Sequence, residues 1–135
     1  MNQTFRAACV QVNAGLETGP NLEIAADLIR RAADAGAAFI TTPENVVMLA
    51  NGRDKVLARA RPEADHPAIP VFADLARETG ATLLAGSLAI LLDEGRVANR
   101  SFVFAPDGSV SARYDKIHMF DVDLGNGESY RESAT

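Results

Sequence analysis

A chain of 135 residues, 47% hydrophobic and 23% charged, has enough material to bury one domain's core, and its composition excludes a disordered tract. A formal net charge of -5 at pH 7, with the basic residues scattered, argues against non-specific nucleic-acid binding, which needs cations to displace counterions from phosphates. The longest apolar run, Ala81 to Leu92, is too short and interrupted to span a bilayer, and Met1 to Gly15 lacks a signal-peptide core, so no membrane partner and a cytoplasmic location are expected.

Phe5 to Asn13 is mostly apolar and reads as a strand buried on both faces. Gly15 and Gly19-Pro20 break it. Asn21 is the expected N-cap of a helix with Glu23 in its first turn, and Leu22, Ala25, Ala26, Leu28, Ile29, Ala32 and Ala33 recur at helical spacing until Gly36. Ala37 to Thr42 is short, apolar and β-branched, which completes a βαβ unit with a right-handed crossover. Pro43 cannot donate a ladder hydrogen bond, so it leaves Glu44 at the strand's C-terminal end, where open α/β sheets bind ligands.

Beyond Glu44, Val46 to Leu49 is apolar, Asn51-Gly52 is a turn, and Arg53 to Ala60 reads as a short helix. Pro62 to Pro67 is a polar loop. Ile69, Phe72, Ala73, Leu75 and Ala76 then line one face of a helix ending at Gly80. Thr82 to Leu92 and Val97 to Ala105 read as strands joined by a turn at Asp93 to Arg96, and Asp107-Gly108 feeds a third strand from Ser109 to Asp115. This order predicts an α/β fold, a mixed sheet with two flanking helices on one face.

Chemistry concentrates at the exit of the last strand, where Tyr114, Lys116, His118, Asp121 and Asp123 crowd one loop. From residue types alone, Glu44 is either a solvated loop acid or a carboxylate tuned by apolar surroundings for general-base work. Lys116 is either a surface charge or a cation fixed to stabilise an oxyanion. His118, Asp121 and Asp123 offer imidazole and carboxylate to a metal, but His66 lies in a distant loop and no His-x-x-x-His spacing exists, so ordering of the loop is the preferred reading and no metal is expected. Glu128 and Glu132, taken alone, are tail charges. Cys9 is the one cysteine, flanked by Ala7, Ala8 and Val10, and reads as a small buried hydrophobe, not a nucleophile.

Ala7-Ala8-Cys9-Val10-Gln11-Val12-Asn13, Thr42-Pro43-Glu44, Asn99-Arg100-Ser101, Pro106-Asp107-Gly108, Tyr114-Asp115-Lys116-Ile117-His118 and Glu132-Ser133, in that order and separation, resemble the nitrilase superfamily of carbon-nitrogen hydrolases over nearly the whole chain. The resemblance implies a four-layer α-β-β-α sandwich of the nitrilase type, of which residues 1–135 would form the N-terminal portion of one domain. It also implies that Glu44 is the general base, that Lys116 stabilises the tetrahedral intermediate, and that Glu132 positions the lysine. Tyr114, His118 and Asp121 would bind substrate or order the loop. The expected substrate is a small-molecule amide, hydrolysed to acid and ammonia through a cysteine thioester without any cofactor, in an enzyme that is a homo-oligomer when complete. His118-Met119-Phe120-Asp121-Val122-Asp123 and Glu132-Ser133 favour the omega-amidase and deaminated-glutathione amidase branch. The family's catalytic cysteine falls a few dozen residues beyond the lysine, past Thr135, so a non-catalytic binding or oligomerisation module on the same scaffold is the alternative.

Overall fold

The computed structural model describes residues 4–125 and 127–132, which leaves Ser133 outside the described residues. Five strands form one mixed sheet in sequence order: β1 (Ala7–Cys9), β2 (Phe39–Thr41), β3 (Thr82–Leu91), β4 (Val97–Phe104) and β5 (Val110–Asp115). The first three are parallel, since each needs a crossover, and β4 and β5 are antiparallel because tight turns join them. The crossovers carry helices α1 (Thr18–Asp34) and α3 (Ala68–Thr79), which pack on each other and on one face of the sheet. A short helix α2 (Arg53–Arg59) precedes α3, and a separate ribbon of β6 (Asp121–Asp123) and β7 (Ser129–Arg131) ends the described chain. Among the described residues no helix is long and apolar enough to cross a membrane.

The core lies between the helices and the sheet. Ile29, Phe72, Leu75 and Ala76 meet Ile40, Leu83, Ala85, Phe102 and Phe104, all buried. Phe104 stacks on Phe72 at 5.9 Å and on Phe102 at 6.1 Å between ring centroids. Each such side chain contributes about 1.5–3 kcal/mol by leaving water. The opposite sheet face is different. Ala7, Cys9, Ala112 and Tyr114 on it are exposed, and Phe39, Leu84 and Val103 are only half-buried.

That asymmetry corrects two expectations. The first strand spans three residues, not the nine from Phe5 to Asn13, and Cys9 is exposed, not buried. An apolar run promises two covered faces, whereas α1 and α3 cover only one and no described segment covers the other.

Asn21 also departs from its expected role. Helix α1 begins at Thr18, so Glu23 lies outside its first turn, and Pro20 sits in that turn, where its missing N–H leaves no bond unmade. The buried Asn21 side chain instead ties two loops together. Its Oδ1 accepts from the Gly15 N–H at 3.0 Å, and its Nδ2 donates to the Gly15 and Val47 carbonyls, both at 2.8 Å. Val46, Val47 and Met48 are thereby held in the interior immediately after Glu44.

The polar loop before α3 hides a histidine. His66 is buried, and its Nδ1 accepts from the Ala68 N–H at 3.2 Å, satisfying one of the unpaired donors at the helix start. Burial, reinforced by the charge of Arg61, lowers its pKa to about 4. Downstream, Gly80 takes φ 65° and ends α3 in the left-handed cap that glycine favours.

Two outcomes follow from these features. An unfolded histidine takes its proton near pH 6.5 and the folded one near 4, so the unfolded state binds more protons between those values. Stability from neutral His66 is present above about pH 6.5 and is lost as pH falls through 4; thermal melting across this window should show the loss, and His66→Asn, which keeps an acceptor without a proton to gain, should flatten it. The bare sheet face should make the isolated chain self-associate, because exposed apolar area of that kind seeks a partner. Sedimentation is the check, and a monodisperse, cooperatively unfolding monomer is the contrary result.

Candidate active site

Lys116 is the first residue past β5, and its N–H donates to the Asn99 carbonyl at 2.9 Å, extending the β4–β5 ladder one step. Successive strand residues face opposite sides. Asp115 therefore meets Arg100 on the helix side, in a two-pronged pair at 2.6 and 2.9 Å, and the Arg100 guanidinium also donates to Glu63 at 2.8 Å. Lys116 turns to the other side, with the Asn99 side chain.

Glu44 is set in place by its neighbours' backbone. The Thr42 N–H donates to the Leu84 carbonyl at 3.0 Å, the Gly86 N–H to Thr42 Oγ1 at 3.1 Å, and the Asn45 N–H to the buried Ser87 Oγ at 2.9 Å. Asn45 then turns the chain at φ 55°, a left-handed conformation that asparagine tolerates. Gly86 has no substitute here, because a Cβ at that position would overlap the Thr42 and Pro43 backbone.

Glu132 follows β7. Its N–H donates to the Phe120 carbonyl at 3.2 Å, and its Oε2 accepts from the Phe120 N–H at 2.6 Å, which anchors the β6–β7 ribbon to the loop after Lys116.

These three side chains meet. Lys116 Nζ donates to Glu44 Oε1 at 2.8 Å and to Glu132 Oε1 and Oε2 at 3.1 and 2.9 Å. The Asn99 amide nitrogen lies 2.6 Å from Glu44 Oε1 and 3.3 Å from Glu132 Oε1. The hydrogen bond to Glu44, joined by that to Glu132, raises the Lys116 pKa against the opposing effect of burial. At Glu132, burial pushes the carboxyl upward, but the Phe120 N–H, Lys116 and Asn99 outweigh it and hold it below its ordinary value. The ammonium is thus held charged.

The cluster opens into a cavity of about 1000 Å³ whose lining includes Glu44, Asn99, Lys116, Met119, Phe120, Glu132, Arg53, Arg96 and Arg131. Tyr114 and His118 are exposed, and neither they nor Asp121, which pairs with Arg131 in the ribbon, are among the residues lining it. Cys9 does not line it either. Among the described residues no group of three or more His, Cys, Asp or Glu is placed to hold a metal ion. Sequence reasoning left Gly86, Ser87 and the side chain of Asn99 out of the site. Gly86 carried a physical signal, since a glycine inside an apolar strand marks a close backbone approach, and Asn99 stands in a motif that carries the family resemblance.

The family model described as carbon-nitrogen hydrolase matches residues 6–135. A deaminated glutathione amidase of Synechocystis sp. is 33% identical over 134 residues, which cover 97% of this chain and 48% of that protein. The omega-amidase NIT2 of Mus musculus is 29% identical over 138 residues, covering 98% of this chain and 47% of that protein. The chain therefore spans about half the length of the curated relatives it matches. The C. elegans NitFhit protein superimposes with a TM-score of 0.82 at 21% identity, over 96% of this chain and 32% of its own. A mutant of the Nesterenkonia AN1 amidase from the nitrilase superfamily does so with a TM-score of 0.76 at 25% identity, over 86% of this chain and 44% of its own. The mixed sheet with its helix layer is the fold these structures share.

Adding a methyl at Gly86 must push Thr42-Pro43 aside and carry Glu44 with it. Gly86→Ala should cost about 1–3 kcal/mol in denaturant unfolding, and NMR titration should show the Lys116 ammonium releasing its proton at lower pH than in the parent. Gly19→Ala, where a Cβ meets nothing within 4 Å, should change neither.

Proposed function

Because this chain belongs to the carbon-nitrogen hydrolase family, we propose that it carries the acid-base and electrostatic half of an amidase site, with Glu44 as general base and acid, Lys116 as oxyanion stabiliser and Glu132 as the group that positions the lysine. The observation that carries this reading is the placement of one ammonium within 2.8 to 3.1 Å of both carboxylates, at the wall of a cavity large enough for a small amide.

Each group then has a task. A cysteine thiol gives its proton to Glu44 as its sulfur attacks the amide carbon, and the carbonyl oxygen takes the electron pair of the broken π bond. Lys116 donates a hydrogen bond to that oxyanion, where a fixed cation is most effective because it needs no reorganisation as charge develops. Glu44 returns the proton to the leaving nitrogen, the carbon-nitrogen bond breaks, and ammonia departs from a thioester. Water then attacks the thioester, with Glu44 accepting its proton, and the acid and the thiol are released. Because the chain spans about half the length of its curated relatives, the proposed nucleophile is a cysteine of the complementary half of the fold, and the activity is assigned to an enzyme containing both halves. Small carboxamides are the proposed substrates, in keeping with the names of the two amidase relatives. Because Cys9 does not line the cavity, a binding module on the same scaffold is the second reading.

In such an enzyme, Glu44→Gln keeps the shape but cannot take a proton, so ammonia release from a short dicarboxylate monoamide should fall by about a hundredfold or more. Lys116→Met should cost as much or more. Cys9→Ser should leave turnover in place. Full activity in either of the first two variants would remove that residue from the site, and an unresponsive, inactive parent would favour the module.

A further inference from the structure

Asn99 touches all three members of the ionic cluster. Its carbonyl accepts the Lys116 N–H at 2.9 Å, and its side-chain nitrogen reaches Glu44 Oε1 at 2.6 Å and Glu132 Oε1 at 3.3 Å. Two carboxylates this close repel each other, and the single charge of Lys116 leaves the three ionised groups with a net charge of about -1. An amide nitrogen carries two hydrogens and no charge, so it can give one to each carboxylate and bridge them without changing that balance. The amide must face them with nitrogen, because its oxygen would add a third acceptor to the repulsion.

The arrangement is also uneven across Glu44. Both Asn99 and Lys116 donate to Oε1, and among the described residues Oε2 has no hydrogen-bond donor. A carboxylate with one oxygen held at 2.6 and 2.8 Å by donors on two different strand ends has little freedom to rotate. Its second oxygen is therefore presented in one direction.

We propose that Asn99 is a positioning residue for the amidase chemistry, which clamps Glu44 Oε1 and Glu132 Oε1 from β4 and so reserves Glu44 Oε2 as the oxygen that moves the proton. This rests on the reading of Glu44 as the general base. Asn99 never contacts the reacting atoms; it acts through the carboxylates it holds.

The test uses an enzyme that joins this chain to the complementary half of the fold, with the variants Asn99→Asp, Asn99→Ala and Glu44→Gln. Asn99→Asp has the same shape with the donor removed. It should lower kcat by about ten- to a hundredfold, the scale of loss when a reacting group is misplaced by around an ångström, with KM changed by less than about threefold. A carboxylate that loses a donor and gains a negative neighbour holds its proton more tightly, so the acidic limb of the kcat/KM profile should move to higher pH. Asn99→Ala should show the same direction with a smaller displacement. An unmoved acidic limb with unchanged kcat in a folded Asn99→Asp enzyme overturns the proposal, as does a rise in KM alone, which would mean a substrate contact. If both Asn99 variants fail to fold, the residue is structural and the proposal falls. Glu44→Gln separates the two claims: an active Glu44→Gln enzyme defeats the general-base reading itself, whereas an inactive one beside unaffected Asn99 variants defeats only the role of Asn99.

Discussion

One ammonium organises the far end of this sheet. Lys116 joins residues separated from it by 72 positions on one side and 16 on the other, and each contact closes a different piece of chain. The bond to Glu44 fixes the exit of β2 against the exit of β5, and the bonds to Glu132 bring the β6–β7 ribbon over the same spot. Exposed ion pairs of ordinary geometry contribute little, about 0–1 kcal/mol. Here the lysine side chain retains 29% exposure and Glu132 26%, while Glu44 retains 51%, and several donors converge on the same carboxylates, so the network is desolvated on its Lys116–Glu132 side only and its value lies in geometry more than in stability.

The placement of that network follows from how the sheet is covered. Helices α1 and α3 take one face, and the large aromatic and aliphatic side chains of β3 and β4 go to them. The other face keeps exposed or half-buried residues and, at its end, the polar cluster. The chain approaches the sheet closely where β2 leaves it: Thr42 and Pro43 lie directly on Gly86, and Ser87 Oγ receives the Asn45 N–H. The general consequence is that Glu44 is aimed by the close packing of its neighbours' main chain together with the Thr42 and Ser87 hydroxyls.

Much of the architecture was legible because it is local. Asp107-Gly108 announces its turn, Gly80 its helix end, and the apolar periodicity of residues 68–79 its buried face. The β-α-β order of the first 91 residues follows from the same signals. What failed was what depends on distant partners. A run such as Phe5 to Asn13 shows that its residues are apolar, not whether anything arrives to cover both sides, and so it overstates the length of β1 and the burial of Cys9. Asn21 carries the residue type of a cap, yet a loop ending at Val47 claims its side chain. In the same way Glu44, Lys116 and Glu132 could be named from a family resemblance, but neither their mutual distances nor the amide of Asn99 between them is written in any local pattern.

The pair of neighbours Asp115 and Lys116 shows how finely this end of the fold is indexed. One answers Arg100 on the helix side and the other answers two carboxylates on the far side, so opposite charges alternate along the strand with a period of a single residue. The turn at Asp107-Gly108 and the one-residue register shift between Phe104 and Val103 together set that alternation. The turn is closed by the Ala105 N–H bond to the Ser109 carbonyl, by the Gly108 N–H bond to the Ala105 carbonyl, and by the packing of Gly108 against Ala73 and Arg77. A slip by one position would bring Asp115 to the two glutamates and Tyr114 to Arg100, or, in the other direction, Lys116 to Arg100 and Ile117 to the glutamates, so either way attraction is lost on one side and becomes repulsion on the other. The charges that equip the cavity therefore also proofread the register of the hairpin that delivers them.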